Sequence, residues 1–225
     1  ATGHHARVVE LPDGTRRIAR GADGPKDQSY VLHMLDQAAL AQVLLPVGDL
    51  TKADVRERAA ALGLRTAAKP DSQDVCFIAT AAGRRGFLAD RIELTPGRVV
   101  DGAGAEVGTV DAVELVTIGQ RRGLDLVPGR SPRFVTGVDV GAAEVTVGAR
   151  EDLLVGEVVL VQAVWADDPV TGPVAVQCSA HGEVRAGRLE AGRLGWDEPQ
   201  PIVAPGQSVV FYEGDEVLGG AIAGR

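Results

Sequence analysis

From about residue 97 to the C-terminus the chain carries no helical periodicity. Short Val-rich runs alternate there with Gly-rich turns: "GRVVDGAGAEVGTV", "RFVTGVDVGAAEVTVG", "GEVVLVQAVW", "VAVQCSA", "EVRAGRLEA" and "SVVFYEGDEVLGGAIAG". Evenly spaced strands of this length cannot bury a core singly and pair into antiparallel sheets or small barrels. Aromatic residues make up only 4% of the chain, so Val, Leu, Ala and Ile must fill that core.

The first 96 residues read differently. "ARVVEL" and "RRIAR" flank "PDGT", and Asp13-Gly14 predicts a hairpin over residues 6–20. "KDQSYVLHMLDQAALAQVLL" predicts helix over residues 26–45, broken near Asp36, with Asp27 and Asp36 as N-caps. "LTKADVRERAAALGL" is the clearest helix. Thr51 caps it, Asp54 completes a capping box, Val55, Ala59 and Leu62 form one apolar stripe, and Gly63 ends it. "VCFIA" reads as a strand or buried loop and "RRGFLADRI" as a short helix. Boundaries are expected at "ELTPGR", near 93–98, and near 150–156. The division is then 1–96, 97–155 and 156–225. The chain opens "ATGHHARVVEL" and its only Met is Met34, so it is expected to begin inside a longer protein.

The charge balance narrows the partners. Net charge is -8 and the isoelectric point about 5.0, the reverse of a protein that coats nucleic acid non-specifically. Any RNA contact must then rest on local basic patches and shape. Two distant cysteines make neither a disulfide framework nor a zinc pattern, and a reducing, cytosolic setting fits them. No apolar run is long enough to span a bilayer, so no membrane partner is expected. His4 and His5 lack further ligands at metal-binding spacing, and no metal is expected. No complete GxGxxG or GxxxxGK[ST] loop occurs.

Three features carry chemistry. Cys76 lies in "KPDSQDVCFI", where Lys69, Asp71, Ser72, Gln73 and Asp74 form a polar approach. Two readings stand: a buried structural thiol, and a nucleophile whose pKa a nearby cation such as Lys69 would lower. Cys178 shares a strand face with Val174 and Val176 and reads as structural. "TIGQRRGL", residues 117–124, followed by Arg130 and Arg133, is the densest basic stretch without acidic company apart from Asp125. It is either an RNA-backbone contact or a solvated hairpin rim.

The motifs "ATGHHAR", "KDQSYVL", "LPVGDLTKADVRERAAALGL", "DSQDVCFI", "TIGQRRGL" and "APGQSVVFYEGDEVLGGAI" occur in the order found in the tRNA-specific 2-thiouridylases, and the chain resembles that family from residue 1 to 225. The resemblance implies an α/β plus β fold: the remainder of a PP-loop α/β domain, a small β-rich central domain, and a C-terminal β-barrel. It implies ATP as a substrate, tRNA with a wobble uridine as partner, and a cysteine desulfurase or sulfur-relay protein as sulfur donor. Cys76 maps onto the persulfide-carrying cysteine, which in the family forms a disulfide with a second cysteine. Gly3 maps onto a nucleotide-site glycine. His4, Lys26, Asp27, Gln28 and Gln207 map onto tRNA contacts. The family's "SGG-x-DS" loop and first catalytic cysteine do not occur in these residues. The chain alone is therefore expected not to thiolate tRNA, and a non-catalytic RNA-binding module is the alternative. The family's basic-aromatic barrel motif is replaced by Ser179, Ala180 and His181, and Cys178 matches no catalytic position.

Overall fold

The computed structural model describes residues 1–69, 83–127 and 133–224. Cys76 with the rest of "DSQDVCFI", and Arg130, lie outside them. In chain order the first strands are β1 (Ala6–Glu10) and β2 (Arg16–Arg20). Three helices follow, α1 (Gln37–Leu40), α2 (Lys52–Ala61) and α3 (Gly83–Ala89). Next come β3 (Gly97–Asp101), β4 (Glu106–Val110), β5 (Asp125–Leu126), β6 (Phe134–Asp139) and β7 (Glu144–Gly148). The last strands are β8 (Leu154–Trp165), β9 (Gly172–Gln177), β10 (Arg185–Glu190), β11 (Arg193–Pro201), β12 (Ser208–Glu213) and β13 (Glu216–Ala223). No α-helix follows residue 89 among the described residues, as the loss of helical periodicity requires.

Two compact units emerge, one of residues 1–69, 156–199 and 205–225, the other of residues 70–155 and 200–204. In the first, β8, β13, β12, β9, β10 and β11 pair in a ring, because β13 bonds β8 as well as β12. Closure removes the exposed sheet edges. The β1–β2 hairpin adds to this sheet through Ala19 opposite Glu216. Its turn is the one the sequence predicts: Gly14 sits at φ +88°, and the Asp13 carboxylate accepts from the Thr15 N–H at 2.9 Å.

Strand β12 explains how residues 24–45 are held. Successive side chains point to opposite faces, and Val209, Val210, Phe211 and Tyr212 are all buried. Phe211 stacks on Trp165 with ring centroids 5.4 Å apart. On the other face Val210 and Tyr212 join Ala6, Ile18, Tyr30, Leu40, Ala166 and Val217 in one cluster. Residues 24–45 therefore form a cover over a sheet face rather than the predicted helix. They comprise 3-10 turns at Gly24–Lys26 and Ser29–Leu32 and the one-turn helix α1. Asp36 caps α1 as predicted, accepting from the Ala39 N–H at 2.9 Å. Asp27 caps no α-helix. Gln37 pins α1 to the sheet, its amide donating to the Arg16 and Ala166 carbonyls. Following the strands with side chains such as Tyr30 and Leu40 requires breaks that a continuous 20-residue helix lacks.

Helix α2 has the predicted capping box, with the Asp54 N–H bonding the Thr51 hydroxyl and the Thr51 N–H bonding the Asp54 carboxylate. It ends in a Schellman motif, with Gly63 at φ +66° and the Leu64 N–H on the Ala59 carbonyl at 2.9 Å. The expected apolar stripe is not buried, however. No α2 residue is buried, and Leu62 at the stripe's end is 75% exposed.

In the second unit β5-β4-β3-β7-β6 form a five-stranded sheet, antiparallel except for β3 with β7. Val99, Val107, Val110, Val113, Val135, Val145 and Val147 make its core. Among the described residues no helix is long and apolar enough to cross a membrane.

Candidate nucleic-acid interface

Asp27, Gln28 and Gln207, among the predicted site residues of the first unit, share one hydrogen-bonded neighbourhood centred on the Asp27 carboxylate. That carboxylate is 6% exposed and both its oxygens are engaged. Oδ1 accepts from the Gly21 N–H at 2.9 Å and the Ser29 N–H at 3.1 Å. Oδ2 accepts from Arg20 Nη1 at 2.9 Å and the Ser29 hydroxyl at 2.7 Å. Because an ionised carboxylate only accepts, the Ser29 proton points to Asp27, and the Tyr212 hydroxyl donates to Ser29 Oγ at 3.1 Å. Arg20 also lies over the Tyr212 ring, 4.1 Å from its centroid.

The network continues into the barrel. Arg20 Nη2 donates to Gln177 Oε1 at 2.8 Å. Gln177, 2% exposed at the end of β9, donates its amide to the Ser179 and Ala180 carbonyls at 2.8 and 3.1 Å. Gln207 is exposed and donates to the Cys178 carbonyl at 2.6 Å. Tyr30 donates to the Ser208 carbonyl at 2.8 Å, and His33 Nε2 lies 3.0 Å from the Ser208 hydroxyl. At the N-terminal end, Gln28 exchanges bonds with His5: its Oε1 accepts from the His5 N–H and its N–H donates to the His5 carbonyl, both at 2.9 Å.

Four segments far apart in sequence, around His5, 26–30, 177–181 and 207–208, are thus linked by these bonds. Lys26 and Gln28 are exposed on either side of buried Asp27, and Gln207, Ser179, Ala180 and His181 are exposed beyond Gln177. Asp27 differs from its neighbours. A buried carboxylate with both oxygens occupied fixes the backbone that presents Lys26 and Gln28 and offers no surface of its own. His4 is half-buried, its Nδ1 2.8 Å from the Thr2 hydroxyl. Gly3 is exposed, and a Cβ there would meet nothing within 4 Å. The residues that sequence reasoning missed are Arg20, Ser29, Gln177 and Tyr212. Their roles depend on pairings across 183 residues, between Ser29 and Tyr212, and 157 residues, between Arg20 and Gln177.

Burial sets the titration of the site. Desolvation raises the pKa of Tyr30, against a hydrogen bond from Gln207, and raises that of Tyr212. It lowers that of His33. The Cys178 thiol, just past β9, is pushed by burial up to about 11, which keeps it protonated and unreactive. Among the described residues no cluster of His, Cys, Asp and Glu is arranged to hold a metal ion.

Residues 1–80 match the family model described as tRNA methyl transferase HUP domain. Residues 85–149 match the tRNA methyl transferase PRC-barrel domain, and 171–223 the aminomethyltransferase beta-barrel domain. The chain is 45% identical over 98% of its length to the tRNA-specific 2-thiouridylase MnmA of Kineococcus radiotolerans, covering 64% of that protein. It is equally 45% identical to the enzyme of that name from Micrococcus luteus, covering 63% of it. It is 39% identical over its whole length to that of Roseiflexus sp., covering 67%. The chain thus spans just under two thirds of the length of the first two relatives. With similarity over 98% or more of its length and matches to a HUP domain, a PRC-barrel domain and a beta-barrel domain in that order, this chain belongs to the tRNA-specific 2-thiouridylase family.

Proposed function

We propose that this chain forms the tRNA-docking and sulfur-donating portion of an ATP-dependent tRNA 2-thiouridylase. The observation that carries the reading is identity of 45% across 98% of the chain to proteins named for this activity. The buried Asp27 network adds support, because it holds Lys26, Gln28 and Gln207 on one connected frame. The division proposed is 1–96, 97–155 and 156–225; family models over 1–80, 85–149 and 171–223 support three successive domains in that order.

In this reading the wobble uridine leaves its stack and its C2 oxygen attacks the ATP α-phosphate, forming the adenylate with release of pyrophosphate. The terminal sulfur of a Cys76 persulfide attacks C2, and the C2–O bond breaks with release of AMP. A second cysteine thiolate then attacks Cys76 Sγ. The sulfur–sulfur bond to the substrate breaks, a disulfide forms between the cysteines, and the sulfur stays on C2 as 2-thiouridine. Proximity of a soft nucleophile to an activated carbon supplies much of the rate. His4, Lys26, Gln28 and Gln207 contact the tRNA, Asp27 positions its two neighbours, and Gly3 lies at the nucleotide site. A thiol reductant then opens that disulfide, and a cysteine desulfurase or relay protein reloads the freed Cys76 thiol with sulfane sulfur in the cytoplasm.

The test is 2-thiouridine formation in a full-length context, with ATP and a sulfur donor. Cys76→Ser is expected to abolish it while leaving tRNA binding intact; undiminished thiolation would overturn the assignment. The 225-residue chain alone is expected to bind tRNA and not to thiolate it. If upstream genomic sequence shows a start codon with no in-frame "SGG-x-DS" loop, the non-catalytic binding module becomes the better account.

A further inference from the structure

The loop at residues 117–124 of the second unit belongs to none of the interactions above. Its shape is fixed by its own bonds. The Gly119 N–H donates to the Val135 carbonyl at 2.8 Å and the Val135 N–H to the Gln120 carbonyl at 2.9 Å, locking the loop to β6. Within it, Gln120 Oε1 accepts from the Thr117 N–H at 3.1 Å, and Gln120 Nε2 donates to the Arg122 carbonyl at 2.7 Å. Gly119 and Gly123 take φ of +82° and +75°, values that other residues adopt only with strain.

This rigid loop presents Arg121 and Arg122, both exposed, and among the described residues neither has an ion-pair partner. Two other arginines of the unit are ion-paired, Arg98 with Glu144 at 2.8 Å and Arg85 with Asp111 at 3.5 Å. Asp125 is the only acidic residue between positions 115 and 127. The two arginines are neighbours in the chain, and among the described residues no carboxylate is ion-paired with either. In a chain of net charge -8, this is a local positive site of the kind that polyphosphate recognition needs. Guanidinium forks match phosphate oxygens in geometry as well as charge.

We propose that Arg121 and Arg122, set by Gln120 and its flanking glycines, contact the RNA phosphate backbone as a second anchoring point on the central domain. The inference rests on the reading that the chain binds tRNA, which supplies the partner of this chemistry.

The experiment measures binding of an unmodified tRNA transcript to the 225-residue chain across a salt series, for wild type, the Arg121→Gln/Arg122→Gln double variant and the double Lys variant. The Gln pair is expected to weaken binding about tenfold near 0.1 M salt and to flatten the slope of log affinity against log salt by about 1.4, two phosphate contacts on a single-stranded basis. The Lys pair should retain most of the slope. Thermal unfolding, expected to be unchanged, separates this from misfolding. Wild-type affinity and slope in the Gln pair would overturn the contact while leaving tRNA binding standing. Failure of the wild-type chain to bind any tRNA would overturn the broader reading and this one with it. Loss of binding to phosphatidylserine vesicles by the Gln pair, with tRNA binding unchanged, would reassign the arginines to a membrane surface and equally sink the proposal.

Discussion

Arg20 bridges Asp27 and Gln177, donating to one at 2.9 Å and to the other at 2.8 Å while covering the Tyr212 ring. One guanidinium thereby connects the hairpin, the 26–30 segment and the barrel. Arg20 is 23% exposed at its side chain and Asp27 6%, so the pair is shielded from the screening that weakens surface ion pairs. Removing one member leaves the other charged and under-satisfied. Asp27→Asn is therefore expected to cost about 2–3 kcal/mol in urea unfolding. It should also weaken tRNA binding, because Lys26 and Gln28 lose their fixed backbone. An unchanged unfolding midpoint would show that the network contributes no net stability.

His33 supplies a pH dependence. Burial lowers its pKa below the usual 6.5, so the folded state keeps the ring neutral where the unfolded chain has begun to take up a proton. Its contribution is complete above pH 6.5 and is lost as pH falls through the lowered value in the folded state. His33→Gln is expected to flatten the fall in stability below pH 6.5, read from urea midpoints at successive pH values. An identical slope in the variant would assign the acid sensitivity to other groups.

Cys178 should resist alkylation. With its pKa raised to about 11, roughly one thiol in a thousand is ionised at pH 8. Iodoacetamide labelling followed by peptide mapping is expected to leave Cys178 largely unmodified in the native chain and to label it readily in denaturant. Rapid native labelling would mean that the β9 end opens on the timescale of the reaction.

Helix α2 makes the opposite kind of prediction. Leu62 is 75% exposed, so Leu62→Lys is expected to change the stability of this chain by less than about 0.5 kcal/mol. Thr51→Ala removes the capping box and should cost about 1 kcal/mol of local helix stability, seen as faster amide exchange in the first turn. A large loss in Leu62→Lys would indicate burial against another surface in solution.

Local signals were legible in the sequence wherever the stabilising interactions are local. The Asp13-Gly14 turn needs a positive φ at glycine. The Thr51–Asp54 box and Gly63 terminus bond groups a few residues apart, and the strands after residue 97 repeat with their own period. The fold class and family followed from those elements and from motifs that keep their order along the chain. What only the tertiary structure decided is which surface each segment meets. Residues 26–45 carry helix-forming composition, yet their Tyr30 and Leu40 are claimed by the buried face of β12, and Asp27 by Arg20, so the helix gives way to short turns. The α2 stripe has the right spacing for burial, and no surface among the described residues buries it. Periodicity specifies that a face is apolar, and burial depends on a partner supplied by residues far away in the chain.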